Sequence, residues 1–117
     1  MLNHVHVEYA NDIAIVDGNN KYTFAQMNVL INSVRHLLKQ EGVRKKQNVA
    51  VFFKSGVEFI VSSLAIMSYG AVAVLLPYDM NVTDLRYLIN KYDVRAILTL
   101  SHDKYKFDDL NIHCTKI

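Results

Sequence analysis

Glycine is scarce in this sequence, and the few glycines stand far apart. A loop that binds nucleotide phosphates needs clustered glycines, because backbone N–H groups must approach the anion closely at the start of a helix. Gly18, Gly42, Gly56 and Gly70 are each isolated, and neither G-x-x-x-x-G-K-[ST] nor G-x-G-x-x-G occurs. The sequence therefore has no recognisable nucleotide-phosphate motif. At Gly56, where a helix is predicted to start, an anion site and a plain turn both stay open.

Cysteine and excess charge are also nearly absent. A single Cys114 excludes an internal disulfide framework and fits a reducing compartment. The amino terminus lacks the basic start and apolar middle of a signal peptide, so we expect a cytoplasmic protein. The net charge is only +2, and the one dense basic cluster, residues 44–46, falls in a predicted turn. A nucleic-acid-binding protein usually carries a basic stripe, so we expect no nucleic-acid partner.

Possible metal ligands are present but scattered. His4 and His6 would lie on one side of an extended segment, and His113 stands beside Cys114. No CxxC or HxxxH spacing groups these side chains. His36 falls on the polar face of a predicted helix. We predict that this chain has no metal site.

Catalytic side chains are equally hard to place. Asp108 and Asp109 form the only acidic pair, and side chains adjacent in sequence diverge rather than share a substrate. Cys114 has no sequence neighbour that would activate it as a nucleophile. The sequence therefore predicts neither a catalytic nor a cofactor-binding residue in this chain.

The longest uncharged stretch is the segment around which the rest of the chain is organised. From Phe59 to Leu76 no residue carries a charge, which is typical either of a membrane span or of a helix followed by a buried strand. Gly70 divides the stretch where a helix would need a left-handed cap, and residues 71–76 read as a strand buried on both faces, ended by Pro77. Glu58 before the stretch, and three serines within it, do not fit a spanning helix. We predict the helix and strand, and no membrane span.

A hairpin and an amphipathic helix are predicted earlier in the chain. Residues 13–17 and 21–24 read as strands, because Gly18, Asn19 and Asn20 suit a tight turn between them. Thr23 and Gln26 form a capping box for a helix that ends before Gly42. The predicted inward face of this helix consists of Met27, Leu30, Ile31, Val34, Leu37 and Leu38.

The remaining elements alternate between strand and helix. Strands are predicted at 48–53 and 95–100, with a helix between Gly56 and Tyr69. A further helix is capped by Thr83, and its inward face consists of Leu85, Leu88, Ile89 and Tyr92. Such alternation predicts an α/β fold: a parallel sheet with crossover helices on both faces, plus an amino-terminal β-hairpin. We treat residues 1–117 as one domain, with 101–117 either a frayed tail or one more strand.

Two blocks of sequence resemble a known family. Lys21 to Met27, K-Y-T-F-A-Q-M, and Ala65 to Asp79, A-I-M-S-Y-G-A-V-A-V-L-L-P-Y-D, are similar to the first two core motifs of the adenylate-forming (AMP-binding) superfamily. That superfamily includes acyl-CoA synthetases, nonribosomal adenylation domains and luciferases. Ser68 and Tyr69 replace the Lys and Ala of the second motif. The family also has a turn with the sequence Gly-Val-x-Pro-Gly-Asp. At the positions of its Pro, Gly and Asp, this chain has residues 45–47, Lys, Lys and Gln.

The resemblance implies the incomplete amino-terminal part of the adenylate-forming ligase fold. The family activates a carboxylate with ATP and Mg²⁺ to an acyl-adenylate and transfers it to a thiol, usually CoA. Its phosphate loop, its ATP-binding motifs and its catalytic lysine all lie downstream of the matched motifs. The resemblance therefore transfers no catalytic or cofactor-binding residue to this chain, and we expect the chain alone to be inactive. An excised domain and a naturally short reading frame both fit.

Two other functional classes stay open: a free-standing α/β interaction module, and a small nucleotide-sensing domain. An incomplete sheet exposes an edge strand or an apolar face. We therefore expect self-association into a homo-oligomer. The carboxylate substrate cannot be read from this part of the family's sequence.

Overall fold

The protein is described by a computed structural model that covers residues 11–54 and 56–108, together with the backbone of 115–116. In chain order the elements are β1 (Ile13–Asp17), β2 (Asn20–Thr23), α1 (Phe24–Gln40), β3 (Asn48–Phe52), α2 (Val57–Tyr69), β4 (Val72–Leu75), α3 (Val82–Lys91), β5 (Val94–Thr99), a 3₁₀ helix (Ser101–Phe107) and β6 (Thr115–Lys116).

The main sheet is parallel and has the strand order β4-β3-β5-β6. Val49 of β3 lies opposite Ala73 of β4 on one side and Ala96 of β5 on the other. The strands β1 and β2 form a separate antiparallel hairpin. β3 is therefore a central strand, although it comes first of the four in the chain.

Helices cover both faces of this sheet. Val49 and Val51 pack on one face with Leu38 of α1 and Ile66 of α2. On the opposite face, a second cluster joins the sheet to α3 and the 3₁₀ helix through Ala50, Phe52, Leu85, Ile89, Ile97 and Phe107. The predicted α/β fold with a parallel sheet, crossover helices on both faces and an amino-terminal hairpin is confirmed.

The hairpin packs against the two helices of the first face. Met27 and Ile31 of α1 and Val61 of α2 form a third buried cluster, against which Ile15 and Tyr22 of the hairpin pack. Of the predicted inward face of α1, Met27, Ile31 and Leu38 are fully buried. Leu30 is an exception, because it is 37% exposed at the rim of a groove between the hairpin, α1 and α2.

The ends of α1 and α2 follow the sequence prediction. Thr23 Oγ1 accepts a hydrogen bond from Gln26 N at 3.2 Å, and Gln26 Oε1 accepts one from Thr23 N at 2.8 Å, which completes the capping box. Gly42 and Gly70 follow the two helices with φ of 78° and 99°. These are left-handed conformations that glycine adopts at least cost, so both predicted helix stops are confirmed.

The uncharged stretch from residue 59 to 76 forms most of α2 and all of β4, divided at Gly70 as predicted. α2 has 13 residues. Among the described residues, no helix combines the length and the apolar composition needed to cross a bilayer.

The predicted start and inward face of α3 are wrong in two details. Its N-cap is Asn81 rather than Thr83, because Asn81 Oδ1 accepts from Asp84 N at 2.9 Å and the helix already begins at Val82. Tyr92 does not complete the inward face. It follows the last helical residue and is 44% exposed, while Val94 is buried in its place.

The prediction that residues 71–76 are buried on both faces is also wrong. Ala71 and Leu76 are buried, but Val72 and Leu75 between them are 47% and 54% exposed. The reason is topological: β4 is an outer strand of the sheet, so one side of it has no neighbouring strand among the described residues.

Beyond β5 the chain forms the 3₁₀ helix and then β6, whose two residues pair in parallel with Ala96 and Ile97.

Candidate functional site

A groove opens beside the carboxyl end of the sheet, the edge at which open α/β folds usually bind ligands. Its volume is about 470 Å³. The walls come from the hairpin, from α1 and α2, and from the last residues of β3 and β5: Tyr22, Leu30, Ser33, Val34, Leu37, Phe53, Val57, Glu58, Val61, Ser62, Leu98, Thr99 and Leu100. The lining is mostly apolar, so the groove suits packing better than polar chemistry.

The polar residues of the groove include two that are buried. Ser62 is 5% exposed and Thr99 7%. Thr99 Oγ1 donates to the carbonyl of Phe52 at 3.0 Å and so ties β5 to β3. Glu58 lies in the first turn of α2 and is exposed. Among the described residues, no hydrogen bond links Glu58, Ser62 or Thr99 to a histidine or to another carboxylate.

The start of α2 is occupied by a carboxylate from the hairpin. Asp17 Oδ2 accepts a hydrogen bond from the N–H of Val57 at 3.1 Å. Gly56 has φ of 104°, and a Cβ on it would lie 2.6 Å from that same oxygen. A carboxylate at a helix N-terminus satisfies free N–H groups and the helix dipole. The open interpretation of Gly56 as an anion site is therefore wrong, because Asp17 already fills the position.

The other two α-helices are capped by their own side chains, α1 by Thr23 and Gln26 and α3 by Asn81. Each of the three α-helices within 11–54 and 56–108 therefore has a side-chain oxygen at its start that accepts a backbone N–H.

A buried carboxylate with three polar partners lies on the other face of the sheet. Asp103, 3% exposed, accepts hydrogen bonds from the hydroxyl of Tyr78, at 3.2 Å to Oδ1 and 3.0 Å to Oδ2. Lys106 Nζ lies 3.6 Å from Oδ1, and His102 Nε2 lies 3.3 Å from Oδ2. The contact joins the loop after β4 to the 3₁₀ helix after β5.

This arrangement raises the pKa of Tyr78 above its ordinary value of 10.0. The largest cause is the hydrogen bond to Asp103, followed by burial and then by the negative charges of Asp103 and Tyr105. A phenol with a raised pKa is a poor nucleophile or base at neutral pH. The hydrogen bonds between Tyr78 and Asp103 hold the loop after β4 against the 3₁₀ helix, and we call this contact the latch.

Aromatic rings pack against the latch between Tyr78 and Asp103. The ring of Phe52 lies 5.1 Å from that of Tyr78 and meets Phe107 edge to face at 5.2 Å. Lys106 Nζ lies 4.9 Å from the centroid of the Tyr78 ring. Aromatic and cation–π contacts of this kind each contribute roughly 0.5–1.5 kcal/mol. This aromatic cluster was not predicted from the sequence, although the aromatic side chain of Tyr78, between Pro77 and Asp79, was a signal for it.

The candidate residues weighed from sequence are not brought together. His36 is exposed on α1, and Asp108 follows the 3₁₀ helix. His4, His6, His113, Cys114 and Asp109 lie outside the described residues. Within the described part of the chain, no three His, Cys, Asp or Glu side chains are grouped to hold a metal ion.

The family model of the AMP-binding enzymes matches residues 2–116. This chain belongs to the AMP-binding enzyme family. Among curated relatives, it is 28% identical over 86 residues to a medium/long-chain-fatty-acid–CoA/3-oxocholest-4-en-26-oate–CoA ligase of Mycobacterium tuberculosis. It is 30% identical over 99 residues to the hybrid PKS-NRPS synthetase opdA of Penicillium oxalicum. These matches cover 74% and 85% of the chain but only 16% and 2% of the relatives' lengths.

Solved structures share the fold. MatB from Rhodopseudomonas palustris with bound ATP superposes with a TM-score of 0.87 at 18% identity, over 95% of this chain and 23% of MatB. A benzoate CoA ligase from Burkholderia xenovorans gives a TM-score of 0.87 at 16% identity, over 98% of this chain and 24% of that one. The described fold is thus a part of the adenylate-forming ligase fold.

The family motifs now have structural roles in this AMP-binding family member. Thr23 of the first motif caps α1, and Gly70 of the second ends α2. In the altered turn, Lys46 stands where the family motif has glycine and keeps a left-handed φ of 70°. Gln47, at the position of the motif's Asp, accepts a hydrogen bond from Arg44 N at 2.8 Å. The turn therefore forms despite its altered sequence.

Proposed function

We propose that this chain is the amino-terminal part of an ATP-dependent ligase of the acyl-CoA synthetase type. The complete enzyme would activate a carboxylate with ATP and Mg²⁺ to an acyl-adenylate, and would then form a thioester with CoA or another thiol. The match of the AMP-binding family model to residues 2–116 carries this proposal. Relatives named as fatty-acid–CoA ligases support the CoA ligase type, while the relatives that are peptide synthetases fit an adenylation domain equally well.

The contribution of this chain to such an enzyme would be architectural. Its family-motif residues Thr23 and Gly70 lie at helix ends, and Asp17 caps the start of α2. The polar side chains of the latch, Tyr78 and Asp103, satisfy each other. We therefore propose that the chain alone forms no acyl-adenylate and binds neither ATP nor CoA.

Calorimetric titration tests this proposal. ATP with Mg²⁺, and then CoA, are titrated into the purified chain at high concentration, with MatB as the positive control for ATP. We expect no binding tighter than about 100 μM, which corresponds to roughly −5.5 kcal/mol. Tighter binding of ATP would contradict the architectural role and favour the nucleotide-sensing domain.

A stand-alone interaction module is the second candidate function, and it is favoured by the outer edge of β4, with which no strand of the described residues pairs. The genomic sequence that follows codon 117 separates the two. A continuous reading frame with the family's downstream motifs supports the ligase, whereas a stop codon at that position supports the module. For either function we propose a cytoplasmic location, because a lone cysteine is typical of proteins from reducing compartments.

A further inference from the structure

The groove beside the carboxyl end of the sheet has the size and the lining of a small-molecule site. Its volume of about 470 Å³ lies within the range of roughly 300–1,000 Å³ that is typical of ligand pockets. Leu37 of α1, Val61 of α2 and Phe53 after β3 supply apolar surface to its walls. The apolar part of a ligand would be removed from water against these side chains, which favours binding.

A buried hydroxyl in this groove has no hydrogen-bond partner among the described residues. Ser62 is 5% exposed and lines the groove. The hydroxyl of the neighbouring Ser63 donates to the carbonyl of Phe59 at 2.7 Å, whereas the Ser62 hydroxyl makes no such bond within the described chain. The Ser62 hydroxyl is also not sealed inside the core, so its small accessible surface opens into the groove. Buried polar groups are normally paired, so this hydroxyl is available to a ligand.

A negative charge lies one helical turn before this hydroxyl. Glu58 is exposed in the first turn of α2, and it is the one charged residue among the described residues that line the groove. Glu58 and Ser62 are four positions apart, so they share one face of the helix, with their Cβ atoms roughly 5–6 Å apart. The groove therefore places a carboxylate and a hydroxyl side by side.

The start of α2 does not neutralise this carboxylate. The helix dipole contributes roughly half a positive charge at that end, but Asp17 already accepts a hydrogen bond there from the N–H of Val57. Lys54 is the cation nearest to Glu58 in sequence, and it does not line the groove. This end of the groove is therefore complementary to a cation.

We propose that the groove binds a small apolar molecule that carries one ammonium group. The apolar part packs between α1 and α2, against Leu37 and Val61. An ammonium has three N–H donors and no acceptor, so it donates to the Glu58 carboxylate and to Ser62 Oγ. A carboxylate or a phosphate in the same position is repelled by Glu58. The ligand is thus distinct from the carboxylate substrate, the ATP and the CoA of the proposed ligase, and the two proposals can fail separately.

Three probes with a similar apolar body and different polar ends test this proposal: 4-phenylbutylamine, 4-phenyl-1-butanol and 4-phenylbutyrate. Amide chemical shifts of the isotope-labelled chain at neutral pH give the Kd of each probe and the location of its site. We expect the amine to bind about five- to tenfold more tightly than the carboxylate, with the alcohol between them. Equal affinities, or no binding of the amine at millimolar concentrations, would overturn the proposal and leave the groove as a packing surface for another polypeptide segment.

Two variants identify the polar partners of the ammonium. Glu58→Gln should reduce the preference for the amine over the carboxylate to about twofold or less. Asp79→Asn is its control, because Asp79 is exposed outside the groove and should leave the preference unchanged. Ser62→Ala should weaken binding of the amine about threefold or more, since the hydrogen bond to the ammonium is lost.

Ser63→Ala is the control for Ser62→Ala, because Ser63 does not line the groove. Equal effects of these two serine variants, or a Glu58→Gln variant that keeps the full preference for the amine, would contradict the site. The Ser62 hydroxyl has no partner to lose within the described chain, so Ser62→Ala should fold normally. Circular dichroism establishes that every variant is folded.

Discussion

At the scale of the residue, Lys46 has a backbone conformation that a lysine does not favour. The family motif has glycine there, and the backbone keeps the φ of 70° that glycine adopts readily. A left-handed conformation costs a residue with a Cβ roughly 1–2 kcal/mol. The bond from Lys46 N to Gly70 O holds the turn in this conformation.

Replacing Lys46 by glycine should therefore stabilise the protein. We expect Lys46→Gly to raise the free energy of unfolding by about 0.5–1 kcal/mol in urea titrations, since relief of strain exceeds the added entropy of the unfolded chain. Lys45→Gly is the control. Lys45 does not have a positive φ, so Lys45→Gly should lower the free energy of unfolding by a similar amount. A destabilised Lys46→Gly variant would show that the turn is not strained.

Tyr78 should titrate at higher pH than an exposed tyrosine. Its folded pKa is raised above the unfolded value of 10.0 by the hydrogen bond to Asp103, so the neutral phenol is favoured in the native state. The resulting stability is present below pH 10.0 and is lost as the pH rises through the folded pKa.

Ultraviolet difference absorbance with two variants measures this effect. Tyr78→Phe should remove the late-titrating phenol, whereas the control Tyr105→Phe, at a side chain 67% exposed, should leave that phenol in place. The stability difference between wild type and Tyr78→Phe should stay constant up to about pH 10 and shrink above it. A difference that grows with pH above that point would contradict the latch.

At the scale of the element, the start of α2 depends on the hairpin. Gly56 combines a φ of 104° with close packing, since a Cβ added there would lie 2.6 Å from Asp17 Oδ2. Gly56→Ala should lower the free energy of unfolding by about 2 kcal/mol or more in denaturant titrations, from backbone strain and the lost cap together.

Gly18→Ala separates the two causes. Gly18 has a φ of 60°, and a Cβ added to it would have no atom within 4 Å. Gly18→Ala therefore introduces backbone strain without a steric clash, and it should lower the free energy of unfolding by about 1 kcal/mol. The double variant Gly56→Ala, Asp17→Ala should lose less free energy of unfolding than the sum of the two single variants, because the close contact between the new Cβ and the Asp17 carboxylate disappears. Strict additivity would show that the carboxylate does not crowd Gly56.

Elements with local signals were predictable from the sequence. The capping box at Thr23 and the glycine stops at Gly42 and Gly70 involve residues a few positions apart, so their chemistry is visible along the chain. The N-cap of α3 was missed because Asn81 and Thr83 are both acceptable caps and packing decides between them.

Contacts between distant segments were not predictable. Asp17 and Val57 are 40 residues apart, and Tyr78 and Asp103 are 25 apart. No pattern in one sequence pairs such residues. The exposure of β4 was not predicted for a related reason. An apolar run of residues shows that a strand can be buried, but it does not give the position of that strand in the sheet. The strand order that places β4 at the edge is set by tertiary packing.

At the scale of the whole molecule, ligand binding and self-association are separate questions. The titration with ATP and CoA probes the proposed role of the chain within an adenylate-forming ligase, whereas sedimentation probes the self-association expected of an incomplete sheet. An oligomer that binds neither ligand supports both the architectural role and self-association. A monomer that binds neither ligand leaves the ligase proposal standing and contradicts self-association, so the two can fail independently.

The order of the strands in space has a consequence for how the protein is made. β3 is central but is synthesised before both of its neighbours, and 23 further residues must be added after Phe52, at the end of β3, to reach Leu75 at the end of β4. At about 5–20 residues per second, the ribosome needs roughly 1–5 s to supply β4. Leu38 of α1 already exists and can cover Val49 and Val51. Ala50 and Phe52 must wait for α3, so during translation the sheet is protected on one face only.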